Sequence, residues 1–200
     1  MLSNMQIDVL REISNIGCGN AATALSTMLN KRIDMELPSV NILPLAEAPD
    51  LLGGAELLVT GVFFQAIDDL PCSILWLLKQ DSVGSLLSLL FGMDITTDPP
   101  YTSMEQSALM EVGNILSSSY LGALSCFTGL NFQLSVPALA TDMAGAILDI
   151  ALMQLGSYSD QALVIKNSLR EGDESVEANF LLLPDPELLQ RIFQALGVAE

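Results

Sequence analysis

Apolar residues recur at helical spacing in two long stretches, one in each half of the chain. In the first, from about Gln6 to Asn30, the apolar positions are Leu10, Ile13, Gly17, Ala21, Ala24 and Met28. In the second, from Ser103 to about Thr128, they are Leu109, Val112, Leu116, Ala123 and Phe127. Residues three or four positions apart lie on one side of a helix. Each stretch therefore predicts a long amphipathic helix that buries this side against a core.

Shorter apolar runs between turn residues predict the remaining elements. After the first helix these are a strand within Arg32–Ile42, a helical patch near Leu45–Leu52, strands Glu56–Ile67 and Cys72–Lys79, and a helix Ser82–Leu90. After the second they are a strand Leu134–Ala140, a helix Ala144–Leu155, strands Ala162–Leu169 and Val176–Leu183, and a helix Pro186–Leu196. The two halves therefore have the same predicted order, and Met93–Tyr101 links them.

Neighbouring strands joined by short turns favour antiparallel pairing. We predict an α+β fold with an internal duplication and pseudo-twofold symmetry, in which an antiparallel sheet is packed with long amphipathic helices. Residues 1–200 would form a single domain made of two repeats, 1–98 and 99–200. Helix starts are predicted at the capping residues Asn4, Asp81, Ser103 (with Gln106 as a capping box) and Asp185.

The polar faces of the two long helices carry matching residues at an offset of 99 positions. The matching pairs are Glu12 with Glu111, Asn15 with Asn114, Asp8 with Ser107, and Pro38 with Pro137. Glutamate and asparagine three residues apart lie on one helix face, roughly 4.5 Å apart along the axis. A single pair of this kind is normally a solvated surface. Duplication of polar residues that packing does not require favours a functional role instead.

A glycine motif in the first helix imitates a nucleotide site. Gly17, Gly19 and Ala22 have the spacing of the dinucleotide fingerprint, but that fingerprint needs a preceding strand and a tight turn. Here an amphipathic helix precedes it, and the second copy has Leu116 and Ser118 at the glycine positions. We therefore interpret the glycines as small residues that allow another surface, such as a docking partner, to approach the helix.

Composition narrows the classes of function. The chain has 24 acidic and 7 basic residues and a net charge of −17, which argues against nucleic acid as a partner and favours basic protein surfaces. It has no histidine, which removes histidine-dependent triads and the usual zinc sites. We therefore expect neither a metal site nor a cofactor of its own.

Cysteine usage and hydropathy bear on the compartment. Three scattered cysteines, Cys18, Cys72 and Cys126, indicate reduced thiols in the cytosol. Cys18 and Cys126 fall within predicted helices, where small core residues are expected. Charged residues interrupt every apolar run before it reaches the length of a bilayer span or a secretory signal. The predicted location is the cytoplasm, without membrane insertion.

The doubled motif D/S-x3-E-x2-N-x22-P resembles the signature of the CheC/CheX/FliY phosphatases of bacterial and archaeal chemotaxis. The segments typical of this family are Ile7–Gly17, Leu109–Leu116 and Lys31–Glu36, the last followed by Pro38. The resemblance covers essentially the whole chain, and the two-copy arrangement is similar to that of the CheC-type members.

The resemblance implies hydrolysis of the aspartyl phosphate on phosphorylated CheY, whose own lysine and Mg²⁺ supply most of the chemistry. Glu12 and Glu111 would form a salt bridge to that lysine. Asn15 and Asn114 would orient a water for in-line attack, with Asp8, Ser107, Pro38 and Pro137 as supporting motif positions. An amide suits this role because it donates and accepts hydrogen bonds at once, and phosphoryl transfer depends mostly on positioning.

The resemblance also implies a second partner, the receptor deamidase CheD. The segment Pro137–Met143 resembles the stretch associated with that contact, so Asp142 is a candidate binding residue. Two other functions remain open. One is an adaptor that binds CheY or CheD without turnover, and the other is a structural relative of the flagellar switch.

Overall fold

The computed structural model describes residues 3–36, 39–68, 72–155, 161–184 and 186–198. Within these ranges the chain combines helices with one eight-stranded sheet. The elements are α1 Asn4–Leu29, β1 Asp34–Met35, β2 Ser39–Pro44, α2 Ala48–Leu52, β3 Leu58–Asp68, β4 Cys72–Lys79, α3 Gln80–Phe91, α4 Ser103–Thr128, β5 Phe132–Leu134, β6 Ala138–Met143, α5 Ala144–Leu155, β7 Gln161–Glu171, β8 Glu174–Pro184 and α6 Pro186–Ala195. The predicted α+β class is confirmed.

The sheet interleaves strands from both halves of the chain. Its order is β1-β7-β8-β4-β3-β5, with β2 also beside β7 and β6 also beside β3, and every described pair is antiparallel. The hairpins β3–β4 and β7–β8 meet along β4 and β8, where Trp76 faces Phe180. Each half therefore supplies an outer strand to the other half's hairpin. That the halves are repeats of one another stays a prediction.

Two apolar cores lie on opposite faces of this sheet, since successive side chains of a strand point to opposite sides. On one face, α1, α3, α4 and α6 cover residues such as Trp76 and Phe180. On the other face, α2 and α5 cover residues such as Leu77 and Val164. Residues 72–78 of β4 are all buried because helices lie on both sides of this strand. Its nearly continuous apolar sequence, which only Ser73 interrupts, has the same cause.

The buried side of α1 is rotated from the predicted one. Leu10, Ile13, Gly17 and Ala21 are buried as predicted, but Ala24 and Met28 are exposed. Ser14, Cys18 and Leu25 are buried in addition. The reason is that α1 packs against α4 and also against β1 and β2, so its buried arc is wider than one stripe and is turned toward this second surface. On α4, Phe127 is likewise exposed.

The residue that caps each long helix stands one position before the predicted one. Ser3, not Asn4, caps α1: its Oγ accepts from the Gln6 amide at 3.3 Å, and Gln6 Oε1 accepts from the Ser3 amide at 2.9 Å. Thr102, not Ser103, caps α4 in the same way with Glu105. The cap residue must have an extended backbone outside the helix, and Ser3 and Thr102 have it, with ψ of 160° in each.

Three other predicted elements have different bounds in the structure. Asp81 lies in the first turn of α3 rather than before it, where its Oδ1 accepts from the Ser82 amide at 2.8 Å. The strand predicted over 134–140 is divided into β5 and β6, with Pro137 between them, because proline supplies no amide hydrogen for strand pairing. Arg32–Ile42 is likewise divided into β1 and β2. Asp185 and Pro38 lie outside the described residues.

Candidate functional site

The two glutamate–asparagine pairs lie on the outer faces of α1 and α4. Glu12 and Glu111 are exposed, and Asn15 and Asn114 are partly exposed. The neighbouring Ile13 is 1% exposed on the opposite side of α1. Each pair therefore faces away from the core that holds its helix, as the spacing predicted.

The polar groups of these pairs are not used by the fold. Within the described residues, none of the four side chains has a hydrogen-bond or ion-pair partner. Their carboxylate and amide groups are thus available to a molecule that docks on the outer face. A carboxylate offers acceptors only, whereas the amide offers both a donor and an acceptor. The catalytic roles assigned to them stay predictions.

The two helices that carry the pairs pack directly against each other. A β-carbon added to Gly17 would lie 3.0 Å from Tyr120 Cα and 3.3 Å from Tyr120 Cδ2. Gly17 therefore allows another surface to approach α1 closely, as predicted, but that surface is α4, so the interpretation of Gly17 as clearance for a docking partner is wrong. Gly19 has nothing within 4 Å of an added β-carbon, so that side of α1 is open.

Both pairs lie near this helix contact. Asn15 is two residues from Gly17, and Asn114 is six residues from Tyr120. At a rise of 1.5 Å per residue, these separations are roughly 3 Å and 9 Å along the two axes. The layer formed by the two packed helices thus holds both asparagines within about two turns of the point where the helices touch.

The first motif position has a local role in each copy. Asp8 forms an exposed ion pair with Arg11 at 3.7 Å, and such surface pairs contribute little to stability. Ser107 Oγ donates to the Ser103 carbonyl at 2.8 Å. In the described structure neither side chain bonds to the glutamate or asparagine of its motif. The difference between aspartate and serine at this position therefore involves no bond to the glutamate–asparagine pair.

A buried polar network that the sequence did not reveal fixes the start of α4. The Tyr101 hydroxyl lies 3.0 Å from Thr60 Oγ1 and donates to Gln80 Oε1. Thr60 Oγ1 also accepts from Gln80 Nε2 at 3.1 Å and lies 3.0 Å from Thr141 Oγ1. Gln106 Nε2 bonds to the Tyr101 carbonyl at 2.8 Å. Its members come from separate elements, so no local sequence pattern could have indicated the network.

The three thiols differ in exposure. Cys18 and Cys72 are buried, and burial raises the pKa of Cys18 to about 11 and that of Cys72 to about 12. Cys18 Sγ donates to Asn167 Oδ1 at 3.4 Å. Cys126 is exposed, so its predicted place in the core is wrong. It lies on α4 next to Phe127, which is also exposed.

Asp142 lies on an outer edge of the sheet. It is exposed on β6, opposite Val59 of β3, and its Oδ1 accepts from the Met143 amide at 2.7 Å. The helix α5 follows directly, and large apolar side chains at the end of β6 and on α5 are exposed. Met143 is 50% exposed, Ile150 51% and Met153 81%.

None of the predicted catalytic residues lines the groove beside α3. This groove has a volume of about 1000 Å³ and lies between α3, the segment that follows it and the β7–β8 turn. Its acidic lining residues are Asp81, Asp94, Asp98, Glu171 and Glu174. The described residues contain no group of three or more histidine, cysteine or acidic side chains arranged to hold a metal ion. No helix in the described part is both long enough and apolar enough to cross a bilayer.

Known proteins resemble this chain in sequence. It is 36% identical to the CheY-P phosphatase CheC of Bacillus subtilis over 97% of this chain and 95% of that protein. It is 28% identical to the flagellar motor switch phosphatase FliY of the same organism, over 68% of this chain and 35% of that protein. A putative CheY-P phosphatase, CheC1, of Halobacterium salinarum is 24% identical over 94% of each protein.

Solved structures share the fold. Thermotoga maritima FliY superposes with a TM-score of 0.77 at 18% identity over the whole of both chains. The middle domain of FliM from H. pylori gives 0.71 at 11% identity, over 97% of this chain and 99% of that chain. The sequence model of the CheC-like family matches residues 5–42 and 104–140, and each match contains one copy of the glutamate–asparagine–proline motif. With its sequence identity to CheC across nearly the full length of both proteins, the chain belongs to the CheC-like family.

Proposed function

We propose that this protein is a phosphatase that hydrolyses the aspartyl phosphate of phosphorylated CheY and so terminates the chemotaxis signal. One observation carries the proposal. The same glutamate–asparagine pair occurs on the outer faces of both long helices, and the fold makes no use of its polar groups. Relatives named as CheY-P phosphatases support the choice of substrate.

In this proposal the chain supplies position rather than a reactive group. Asn15 or Asn114 enters the phosphorylated site of CheY and holds a water in line with the phosphorus–oxygen bond that breaks. The water oxygen bonds to phosphorus, the bond between phosphorus and the aspartate oxygen of CheY breaks, and a proton of the water passes to an oxygen of the departing phosphate. An amide is too weak a base to remove the proton, but it can direct the water by donating and accepting together. Mg²⁺ bound to CheY stabilises the phosphoryl charge.

Glu12 and Glu111 anchor the partner. Each lies one helical turn from its asparagine, so a lysine of CheY paired with the carboxylate brings the phosphoryl group toward the amide. Because Glu12 and Glu111 are exposed and unpaired in the described structure, no existing interaction must be broken for them to bind. The net charge of −17 favours the approach of a partner surface that bears lysine.

CheD would be a second partner, bound on the surface formed by β6 and α5. Asp142 supplies an exposed carboxylate on β6, and the exposed side chains of Met143 on β6 and of Ile150 and Met153 on α5 supply apolar area. An apolar patch next to a charge is typical of a protein-binding surface. Because CheY and CheD are proteins of the chemotaxis pathway inside the cell, the proposal implies a cytoplasmic protein.

The phosphatase assignment is tested by the decay of phosphorylated CheY. We expect Asn15→Ala and Asn114→Ala each to slow the decay, and the double variant to remove the acceleration. The fold should persist because both residues lie on outer helix faces and alanine favours helix. The matched control is Asn20→Ala with Ser118→Ala, two exposed positions on the same helices, and it should retain activity.

The outcomes separate the alternatives. Full acceleration by the double asparagine variant would show that the mechanism is wrong. Binding of CheY or CheD by the wild-type protein, without faster decay under any condition, would favour the adaptor instead.

The proposed CheD surface has its own test. Asp142→Lys and Ile150→Glu should each weaken binding of CheD in titration calorimetry, while the decay of phosphorylated CheY in the absence of CheD stays unchanged. Asp94→Lys and Met93→Glu make the same chemical changes at exposed positions in the segment after α3 and serve as controls. Equal affinity in all four variants would remove CheD from this surface.

A further inference from the structure

Two lysines differ from the other basic residues of the chain. All seven basic residues lie in the described part of the structure, and five of them form ion pairs at 2.7–3.7 Å. The pairs are Arg11–Asp8, Lys31–Glu171, Arg32–Asp34, Arg170–Glu36 and Arg191–Glu187. Among described residues, Lys79 and Lys166 have no acidic partner, although the chain carries 24 acidic side chains.

Both unpaired lysines line the same pocket, which has a volume of about 390 Å³. Lys166 of β7 faces Ser39 of β2 and Asn179 of β8 in the sheet register. Asn179 in turn faces Leu77 of β4, two residues before Lys79. Because side chains alternate along a strand, these residues point to one face of the sheet.

The pocket begins where the apolar core of this face ends. Val164 and Leu77 belong to the core under α2 and α5, and the next residues on the same face are Lys166 and Lys79. On β8 the same change occurs from Leu181, which is in that core, to Asn179. On three adjacent strands, β7, β8 and β4, apolar side chains thus give way to hydrogen-bond donors at about the same distance along the sheet.

The donors gathered there suit an oxyanion. Two ammonium groups, the Asn179 amide and the Ser39 hydroxyl all donate hydrogen bonds, and charged donors make the stronger ones. Two unpaired cations in one pocket also repel each other, and an anion bound between them relieves that repulsion. The volume lies within the roughly 300–1,000 Å³ that is usual for small-molecule sites, so the pocket has room for more than a bare ion.

The carboxylates of the pocket do not cancel this charge. Glu36 lines the pocket but is engaged by Arg170 at 2.7 Å. Glu177 is exposed and has no partner in the described structure, so its charge opposes an anion. Two free cations against one free carboxylate leave the pocket locally positive in a chain whose net charge is −17.

The geometry points to a binding site for a small dianion, a phosphate monoester, held between Lys79 and Lys166. The site lies on the face of the sheet opposite α1 and α4, because Lys79 and Lys166 share the face of the second core. It is therefore separate from the glutamate–asparagine pairs and does not depend on the proposed phosphatase activity.

The test is titration calorimetry of the full chain with glycerol 3-phosphate, using glycerol as the control ligand and constant ionic strength. We expect saturable binding with one site per chain and no binding of glycerol. Lys79→Gln with Lys166→Gln should weaken the affinity at least tenfold. The matched control, Arg32→Gln with Arg191→Gln, removes the same charge from two exposed ion pairs elsewhere and should change it less than twofold. Glu177→Gln should tighten binding.

Three results would overturn the site. The first is that binding of glycerol 3-phosphate does not saturate. The second is that the affinity falls equally in the lysine and the arginine double variants. The third is that Glu177→Gln binds glycerol 3-phosphate more weakly than the wild-type protein. Circular dichroism of each variant guards against misfolding. Lys166 is exposed and Lys79 lies at the end of its strand, so neither substitution removes core packing.

Discussion

The Cα atom of Tyr120 lies 3.0 Å from the place where a β-carbon on Gly17 would stand. This is tighter than nearly all real contacts of a β-carbon, so a side chain at position 17 would require α1 and α4 to move apart by a few tenths of an ångström. The Tyr120 ring continues the contact into the core, where it lies 5.2 Å from the ring of Phe180. The two helices that carry the candidate catalytic pairs therefore pack most closely at a position where glycine avoids a crowded contact.

Replacement of this glycine should weaken the fold. In Gly17→Ala the added methyl group meets backbone, which cannot move aside as a flexible side chain could, and overpacking of this kind costs about 1–3 kcal/mol. Gly19→Ala is the matched control, because nothing lies within 4 Å of its added carbon, and it should stabilise the helix by about 0.5–1 kcal/mol. Urea unfolding measures both. Equal free energies of unfolding for the two variants would contradict the close contact.

The proposed anchor and the proposed water-directing residue should affect kinetics differently. Glu12→Gln with Glu111→Gln removes the charge that would pair with the CheY lysine. We expect KM for phosphorylated CheY to rise about tenfold, which corresponds to about 1.4 kcal/mol, with a weaker dependence on salt and a smaller change in kcat. Glu47→Gln with Glu56→Gln makes the same charge change at exposed positions away from both pairs. If kcat falls while KM and the salt dependence stay constant, the glutamates do not act as anchors.

The cap of α4 should show a dependence on pH that the cap of α1 lacks. Hydrogen bonds from the backbone and then the side chain of Thr102 hold the pKa of Glu105 below its usual value. A carboxyl whose pKa is lowered by folding stabilises the protein above the pKa of the unfolded chain and loses this effect as pH falls through the folded value. Thr102→Ala should therefore cost about 1 kcal/mol near neutral pH and less below about pH 4.

Ser3→Ala supplies the comparison for this prediction. Its capping partner is Gln6, which does not titrate, so the loss of stability should stay the same across the same pH range. Denaturant unfolding at several pH values measures the two differences. Parallel pH profiles for Thr102→Ala and Ser3→Ala would show that Glu105 contributes nothing through its charge.

The thiols should react at two distinct rates. Cys126 is exposed, whereas Cys18 and Cys72 are buried. Burial raises the pKa of Cys18 to about 11 and that of Cys72 to about 12. Because the thiolate is the reactive form, we expect one thiol per native chain to react quickly with a disulfide reagent at pH 8. All three should react after unfolding. Cys126→Ser should remove the fast phase, and Cys18→Ser should leave it. A fast phase that persists in Cys126→Ser would place another thiol at the surface.

Local patterns in the sequence predicted the elements well. The 3.6-residue period located both long helices to within a few residues, and the apolar runs located the strands of both hairpins. The helix caps were predicted one residue too late, because serine, threonine and asparagine are all good caps and stand side by side here. The choice among them depends on which residue has the extended backbone, as Ser3 and Thr102 do.

The exposure of the glutamate–asparagine pairs could also be predicted, since Glu12 and Asn15 lie opposite Leu10 and Ile13 on the same helix. Cys126 shows the limit of this reasoning. It lies within a helix with a clear period, but the side of α4 that is buried depends on the second surface that the helix meets. A residue near the edge of the apolar stripe cannot be assigned from the stripe alone.

The sequence by itself determined the two amphipathic helices, the strands and the doubled polar motif, because each of these depends on residues a few positions apart. The tertiary structure decided which strands of one half pair with strands of the other half. It also decided that Gly17 contacts Tyr120 and that Lys79 and Lys166 share a pocket. These features join residues that are 64 to 136 positions apart in the chain. Their meeting depends on strand register and helix packing, and no local periodicity records either.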